Sequence, residues 1–266
     1  MLAKLFADFR GIIRVCGLGM ALRWLVCVVL TLPANLKSRN LLAADELMGE
    51  GPFKVHHAVG DAVLVGKSAF SGLREIWVRD VYARGGFVQV PDNGVVVDLG
   101  ANMGNFSAMA LSSNPTARLV GVEPSRNLGT KWTATIQANG FQDRAELCRA
   151  FMGDFTDKQR GDIASDPAYG GAPAISEAEF LTKYGIDRIA FLKCDIEGSE
   201  FFMIEPGSRI LDITDRLAIE VHDFGGNAQH FINALRERGF ADVSVDWFGG
   251  ECIARAARAP AQKIAA

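Results

Sequence analysis

Apolar residues at Leu2, Leu5, Phe6, Phe9, Ile12, Ile13 and Cys16 recur with helical spacing, and Lys4, Asp8, Arg10 and Arg14 fall mostly between them. That pattern predicts an amphipathic helix at the start of the chain. It runs on into residues 24–34, a stretch without charge. Arg23 and Lys37 bracket 13 uncharged residues, fewer than the roughly 20 that cross a bilayer. A helix on a membrane surface, a helix docked on the rest of the protein, and an anchor or signal segment all remain open readings.

From about 55 to 90, short apolar runs alternate with turn signals. Gly60-Asp61 lies between 56–59 and 62–65, and Gly85-Gly86 precedes 87–90. A small β-rich element with a helix around 71–82 is expected. After Asn93-Gly94 the rhythm changes. Continuous apolar runs at 95–99, 119–122, 189–194 and 217–221 alternate with helix-length segments at 104–112, 126–139, 199–204 and 228–238. Strands without polar alternation, separated by helices, imply a doubly wound α/β fold around a mostly parallel sheet. The polar stretch 156–176, broken at Asp166-Pro167 and Gly170-Gly171, reads as a surface loop, and 257–266 as a frayed tail. The expected division is a helical segment at 1–50, the β-rich element at 51–92 and a ligand-binding domain at 93–256.

Composition narrows the partners. The chain has 266 residues, of which 49 % are hydrophobic and 22 % charged, as in an ordinary folded protein. A net charge of −3 supplies no basic field for a phosphate backbone, so nucleic acid is not an expected partner. The five cysteines are odd in number and contain no CxxC pair, which points away from a disulfide framework or a zinc site. Reduced thiols and a cytoplasmic location are expected, with peripheral membrane contact through 1–36 left open.

Two stretches carry chemistry. In the run 95–107 a buried strand ends at Asp98, turns through Gly100 and enters a helix near Gly104. A second strand ends in Glu123, placed to accept hydrogen bonds from the hydroxyls of a bound ribose. A dinucleotide's pyrophosphate favours G-x-G-x-x-G, whereas here an acid leads and Asn102 occupies the middle glycine position. An ammonium and a sulfonium suit that acid, so the charge pattern favours S-adenosylmethionine. The second stretch, 189–200, is another buried strand ending in acids, with Asp195 and Glu197 expected to face the same crevice as the cofactor turn. Lys193, inside that strand, needs a partner, and Glu220 on the following strand is the expected one. His222 ends that strand within reach of an acceptor. Glu200 reads as a complement to a helix dipole, and His56 and His57 as surface residues.

With both stretches in view, the chain resembles the FkbM family of S-adenosylmethionine-dependent methyltransferases. The resemblance is carried by 96–104, 121–125, 192–200 and 219–222, and spans about 76–222. It implies a class I methyltransferase sheet of seven strands, with an antiparallel edge hairpin near 242–246 and 252–254. It also implies methylation of a hydroxyl on a sugar, glycolipid or secondary metabolite, a small-molecule or glycan/lipid-linked acceptor.

The mechanism expected has Asp98, Gly100 and Asn102 hold the methionine end of the cofactor and Glu123 the ribose, with Gly104 and Pro124 also among the cofactor-binding residues. Asp195 and His222 orient and deprotonate the acceptor hydroxyl. No metal is expected, and a metal-assisted route through Asp195 and Glu197 is the variant to test. The competing readings are a nicotinamide-dependent Rossmann oxidoreductase and an inactive methyltransferase fold serving as an interaction module.

Overall fold

A computed structural model describes residues 2–84 and 87–258. They form two compact units that interleave along the chain. The first comprises 1–89, 101–115 and 127–145, and the second 90–100, 116–126 and 146–266.

The first unit opens with four helices, α1 (Leu2–Cys16), α2 (Leu18–Leu30), α3 (Leu32–Ser38) and α4 (Leu42–Leu47). The long N-terminal helix is therefore broken, at Gly17 with φ of 86° and at Thr31. Their inner faces meet a buried ion network. Arg74 binds Asp8 at 2.6 Å and Asp45 at 2.5 Å, Arg79 binds Asp8 at 2.7 Å, and the Trp24 indole donates to Asp45 at 3.0 Å. A hairpin follows, β1 (Phe53–His57) and β2 (Gly60–Leu64), then α5 (Ala69–Gly72) running into a wide-turned helical segment at Leu73–Val78.

Several expectations shift here. The hairpin turns at residues 58–59, because Gly60 pairs with His57. Gly60 marks close approach, since a Cβ there would press on Ser112. The helix expected at 71–82 starts at 69 and ends at 78, and no strand forms at 87–90. Gly85-Gly86 lies outside the described residues. His56 is exposed and pairs with Asp61 at 3.0 Å, but His57 is half-buried, edge-on to Trp77, and burial lowers its pKa. Two further helices, α6 (Asn105–Ser112) and α7 (Arg126–Ala138), complete this unit. They are tied to each other by the Trp132 indole donating to Ser107 at 2.9 Å.

The second unit holds the doubly wound sheet. Its strands are β3 (Val95–Leu99), β4 (Arg118–Val122), β5 (Ala145–Cys148), β8 (Phe191–Cys194), β9 (Arg216–Val221), β10 (Phe240–Phe248) and β11 (Glu251–Arg258), in the order β10-β11-β9-β8-β3-β4-β5. A small pair, β6 (Phe151–Met152) and β7 (Ala174–Ile175), stands apart from it. β3 pairs in parallel with β4 and β8, and β8 with β9, while β10 and β11 form the antiparallel edge. Val97, Leu99, Val120, Leu192, Cys194, Ile219 and Phe231 lie in its core.

The remaining helices of this unit are α8 (Asp157–Ser165), α9 (Glu177–Tyr184) and α10 (Ala228–Glu237). Thus the stretch expected to be a surface loop contains a capped helix, with Thr156 and Gln159 closing a capping box. The stretch expected to fray from 257 begins inside β11. Arg258 ends β11 and its guanidinium binds the carbonyls of Thr214, Arg238 and Leu211 at 2.7–2.9 Å. Residues 259–266 lie outside the described residues. All five cysteines are free thiols.

Candidate active site

The chain leaves β3 toward β4 and β5 on one side, then returns to β8 and β9 on the other. The reversal lies between β3 and β8, and in such sheets ligands bind beyond the carboxyl ends of the strands at that point. Register puts the tips level: Leu99 is opposite both Val122 and Cys194. The next residues are therefore neighbours, Gly100, Glu123 and Asp195. Gly100 N–H donates to Val122 O at 3.0 Å, Asp195 N–H to Leu99 O at 3.0 Å, and Glu123 N–H to Cys148 O at 3.1 Å.

Gly100 has φ of 75°, and a Cβ there would collide with the Asp195 carbonyl oxygen. Glycine is required on both counts. Glu123 is buried and its Oε1 accepts the Ser125 N–H at 2.8 Å, so residues 123–125 fold around the carboxylate. Pro124 lies between them and contributes no N–H. Asn102 and Gly104, in the first unit, both take left-handed backbone, φ 48° and 83°. Asn102 Oδ1 accepts the Met103 N–H at 2.8 Å, which holds that conformation.

Asp98 is fully enclosed, with Lys193 Nζ 3.5 Å away. The lysine also donates to Gly100 O at 2.7 Å and stands 3.9 Å from Asp195. Burial lowers its pKa; Asp98 first, then Asp195, Cys194 and Glu220, outweigh that and raise it. Glu220, the partner expected, makes the smallest of these contributions. Parallel register explains the exchange: Lys193 is directly opposite Asp98 across β3 and β8, but opposite Ala218 on β9.

Three of the sequence-derived residues converge. His222 Nε2 stands 3.8 Å from both Asp195 Oδ1 and Glu197 Oε2. The two carboxylates keep 32 % and 48 % of their side-chain surface, while the histidine beneath them keeps 7 %. Glu197 has φ of 56°, a conformation uncommon for a residue with a side chain, and Gly198 after it has 92°. Burial pushes the His222 pKa down, but the hydrogen bond and charge of Glu200, then the charges of Asp195 and Glu220, raise it to about 9.

The sequence reading missed several neighbours. Glu200 has no exposed surface; it binds His222 and accepts the Gly198 N–H at 2.9 Å, a role beyond complementing a helix end. Lys158 on α8 pairs with Glu197 at 2.9 Å, and Gln159 donates to Ile196 O at 3.1 Å and Ser199 Oγ at 2.9 Å. The T-x-x-Q signature at 156–159 could have revealed this helix. Tyr169 has its pKa pushed up to about 12, by burial first and then by Glu123 and other acids including Glu197. Phe224 is 52 % exposed, with its ring 5.2 Å from that of His222. Among the described residues no group of three or more histidine, cysteine or acidic side chains is arranged to hold a metal ion.

A family model described as the methyltransferase FkbM domain matches residues 98–241. The chain belongs to that family. The match begins at Asp98 and covers every strand tip described above. The AMB antimetabolite synthetase AmbE of Pseudomonas aeruginosa is 27 % identical over 226 residues, covering 65 % of this chain; the chain spans about a tenth of that relative's length. Among solved structures, the precorrin-6y C5,15-methyltransferase of Geobacter metallireducens is similar over 65 % of this chain and 83 % of its own, at 13 % identity and a TM-score of 0.43. The mitomycin 7-O-methyltransferase MmcR is similar over 71 % and 57 %, at 17 % identity and a TM-score of 0.38. Membership of a methyltransferase family sets the nicotinamide oxidoreductase aside.

Proposed function

We propose that this FkbM-family chain transfers a methyl group from S-adenosylmethionine to a hydroxyl of a sugar, glycolipid or secondary metabolite. The observation that carries the reading is the pair of accessible acids, Asp195 and Glu197, held above His222 at the switch point of the sheet. The donor set suits the cofactor's chemistry. Glu123 offers a carboxylate to ribose hydroxyls, while Asp98, enclosed and paired with Lys193, braces the Gly100 turn from behind.

The cofactor supplies an electrophilic methyl group, which leaves the protein mainly with positioning an acceptor oxygen and removing its proton. His222 carries its proton at neutral pH because its pKa is raised to about 9. It therefore donates hydrogen bonds, and taking the acceptor proton falls to Asp195. Glu197, fixed by Lys158, flanks the acceptor. Phe224 beside His222 offers an apolar face to a ring-bearing acceptor such as a sugar, which suits the substrate class. The antimetabolite synthetase named among the relatives is in keeping with a secondary-metabolite acceptor.

The test is transfer of label. The protein is incubated with methyl-labelled S-adenosylmethionine and fractionated glycan, lipid and small-molecule extracts, and labelled products are digested to locate the methyl group. An oxygen-linked methyl whose formation stops in Asp195→Asn supports the proposal. Label on nitrogen or carbon, or undiminished transfer by that variant, refutes it.

A further inference from the structure

Ten of the thirteen large apolar side chains that stand exposed among the described residues lie between Phe6 and Leu47. On α2 the buried Ala21, Trp24, Cys27 and Val28 take one face. Leu18, Leu22, Val26 and Val29 take the opposite one and are 48–63 % exposed. A helix facing water carries polar residues on its outer side; α2 has Arg23 as its only charged residue. Leu32 and Leu36 on α3 and Leu42 and Leu47 on α4 extend the apolar surface. Contiguous exposed apolar surface of this kind marks a place of contact.

Charge identifies the partner. Within 2–47 the exposed charged residues are Lys4, Arg10, Arg14, Arg23, Lys37 and Arg39 against Glu46 alone, since Asp8 and Asp45 are buried on Arg74. The chain as a whole has a net charge of −3, so the cations are concentrated where the apolar residues are. Between α1 and α4 a cavity of about 940 Å³ is bordered by Lys4, Arg39, Arg74 and Arg79 against Asp8 and Glu75, together with Leu5 and Leu42. That lining suits an anionic headgroup with its acyl stem. A second copy docking by twofold symmetry would set the same cations against themselves. No single described helix is long and apolar enough to cross a membrane, and α2 and α3, which pass together, are bent by 75°. Such a bend suits helices lying in the interface plane.

We propose that the first unit rests on an anionic lipid bilayer, with the outer faces of α2 and α3 in the acyl boundary and the surrounding lysines and arginines among the headgroups. This surface is independent of the methyl-transfer reading.

Flotation of the full chain with phosphatidylcholine vesicles, with and without phosphatidylglycerol, tests it. The chain should float with the mixed vesicles and bind neutral ones at least ~10-fold more weakly, since each cation near the surface adds to the attraction. Val26→Glu with Val29→Glu, at exposed positions, should abolish binding to both. Lys4→Glu with Arg39→Glu should remove the advantage of the anionic lipid. Circular dichroism and thermal melting report whether each variant keeps its fold. Failure of the wild type to float, equal binding to both vesicle types, or unchanged binding by the folded Val26/Val29 variant overturns the proposal. So does sedimentation showing a dimer that Val26→Glu dissociates, in a chain that ignores vesicles.

Discussion

One oxygen of Glu200, Oε1, binds His222 twice, taking its backbone N–H at 2.6 Å and meeting its ring Nδ1 at 3.1 Å. The same carboxylate thereby fixes where β9 ends and how the imidazole is turned. Its other oxygen accepts the Gly198 N–H, so the turn that carries Glu197 is anchored as well.

A dependence of stability on pH follows. Folding raises the His222 pKa from 6.5 to about 9, so the added stability is fully present below about 6.5 and is lost as pH rises through about 9. Thermal unfolding between these limits should show the wild type losing stability toward high pH more steeply than His222→Gln. In Glu200→Gln the histidine's titration, followed by NMR, should move down toward 6.5.

Gly100→Ala should be poorly tolerated. The left-handed conformation costs about 1 kcal/mol or more for any residue with a Cβ, and the added methyl must displace the Asp195 carbonyl. A melting temperature lowered by several degrees, with loss of S-adenosylhomocysteine binding in calorimetry, is expected. Retention of full affinity would mean that the turn is not part of the cofactor site.

Glu123→Gln preserves shape and removes charge at the proposed ribose contact. A hydrogen bond to a charged group contributes about 1.5–3 kcal/mol, so cofactor affinity should fall about 10–100-fold. Calorimetry against adenosine and against its 2′-deoxy analogue separates a ribose contact from a general loss, because only the former makes the variant indifferent to the missing hydroxyl.

Asp45→Ala probes the first unit. It leaves Arg74 with Asp8 alone and takes the partner from the Trp24 indole. Breaking a buried pair costs about 3–5 kcal/mol. Denaturation monitored by tryptophan fluorescence should show the loss, and Asp45→Asn, which keeps an acceptor for the indole, should recover part of it.

Much of the sheet was legible because parallel strands buried on both faces read as unbroken apolar runs, and 95–99 and 119–122 lead directly into Gly100 and Glu123. The acids at 123, 195 and 197 and the histidine at 222 stood out for the same reason. Pairing across strands was less legible. Lys193 and Glu220 lie on neighbouring strands, but only the register shows that Lys193 faces Asp98. Helix α8 was hidden by composition, since its polar sequence is organised by a capping box and held by Gln159 instead of by an apolar stripe. The turn of the first hairpin was misplaced because Gly60 answers to the nearness of Ser112, which no local signal announces.

The contact between Gly100 and the Asp195 carbonyl joins two strand ends with no side chain in between. On the proposed reading, with Gly100 beside the donor and Asp195 beside the acceptor, the span between them is set by the thickness of the main chain, leaving nothing there for substitution to tune. Adaptation to a new acceptor would have to come from peripheral pieces such as α8 and the Phe224 loop, which can be rebuilt without altering the reach of the reaction.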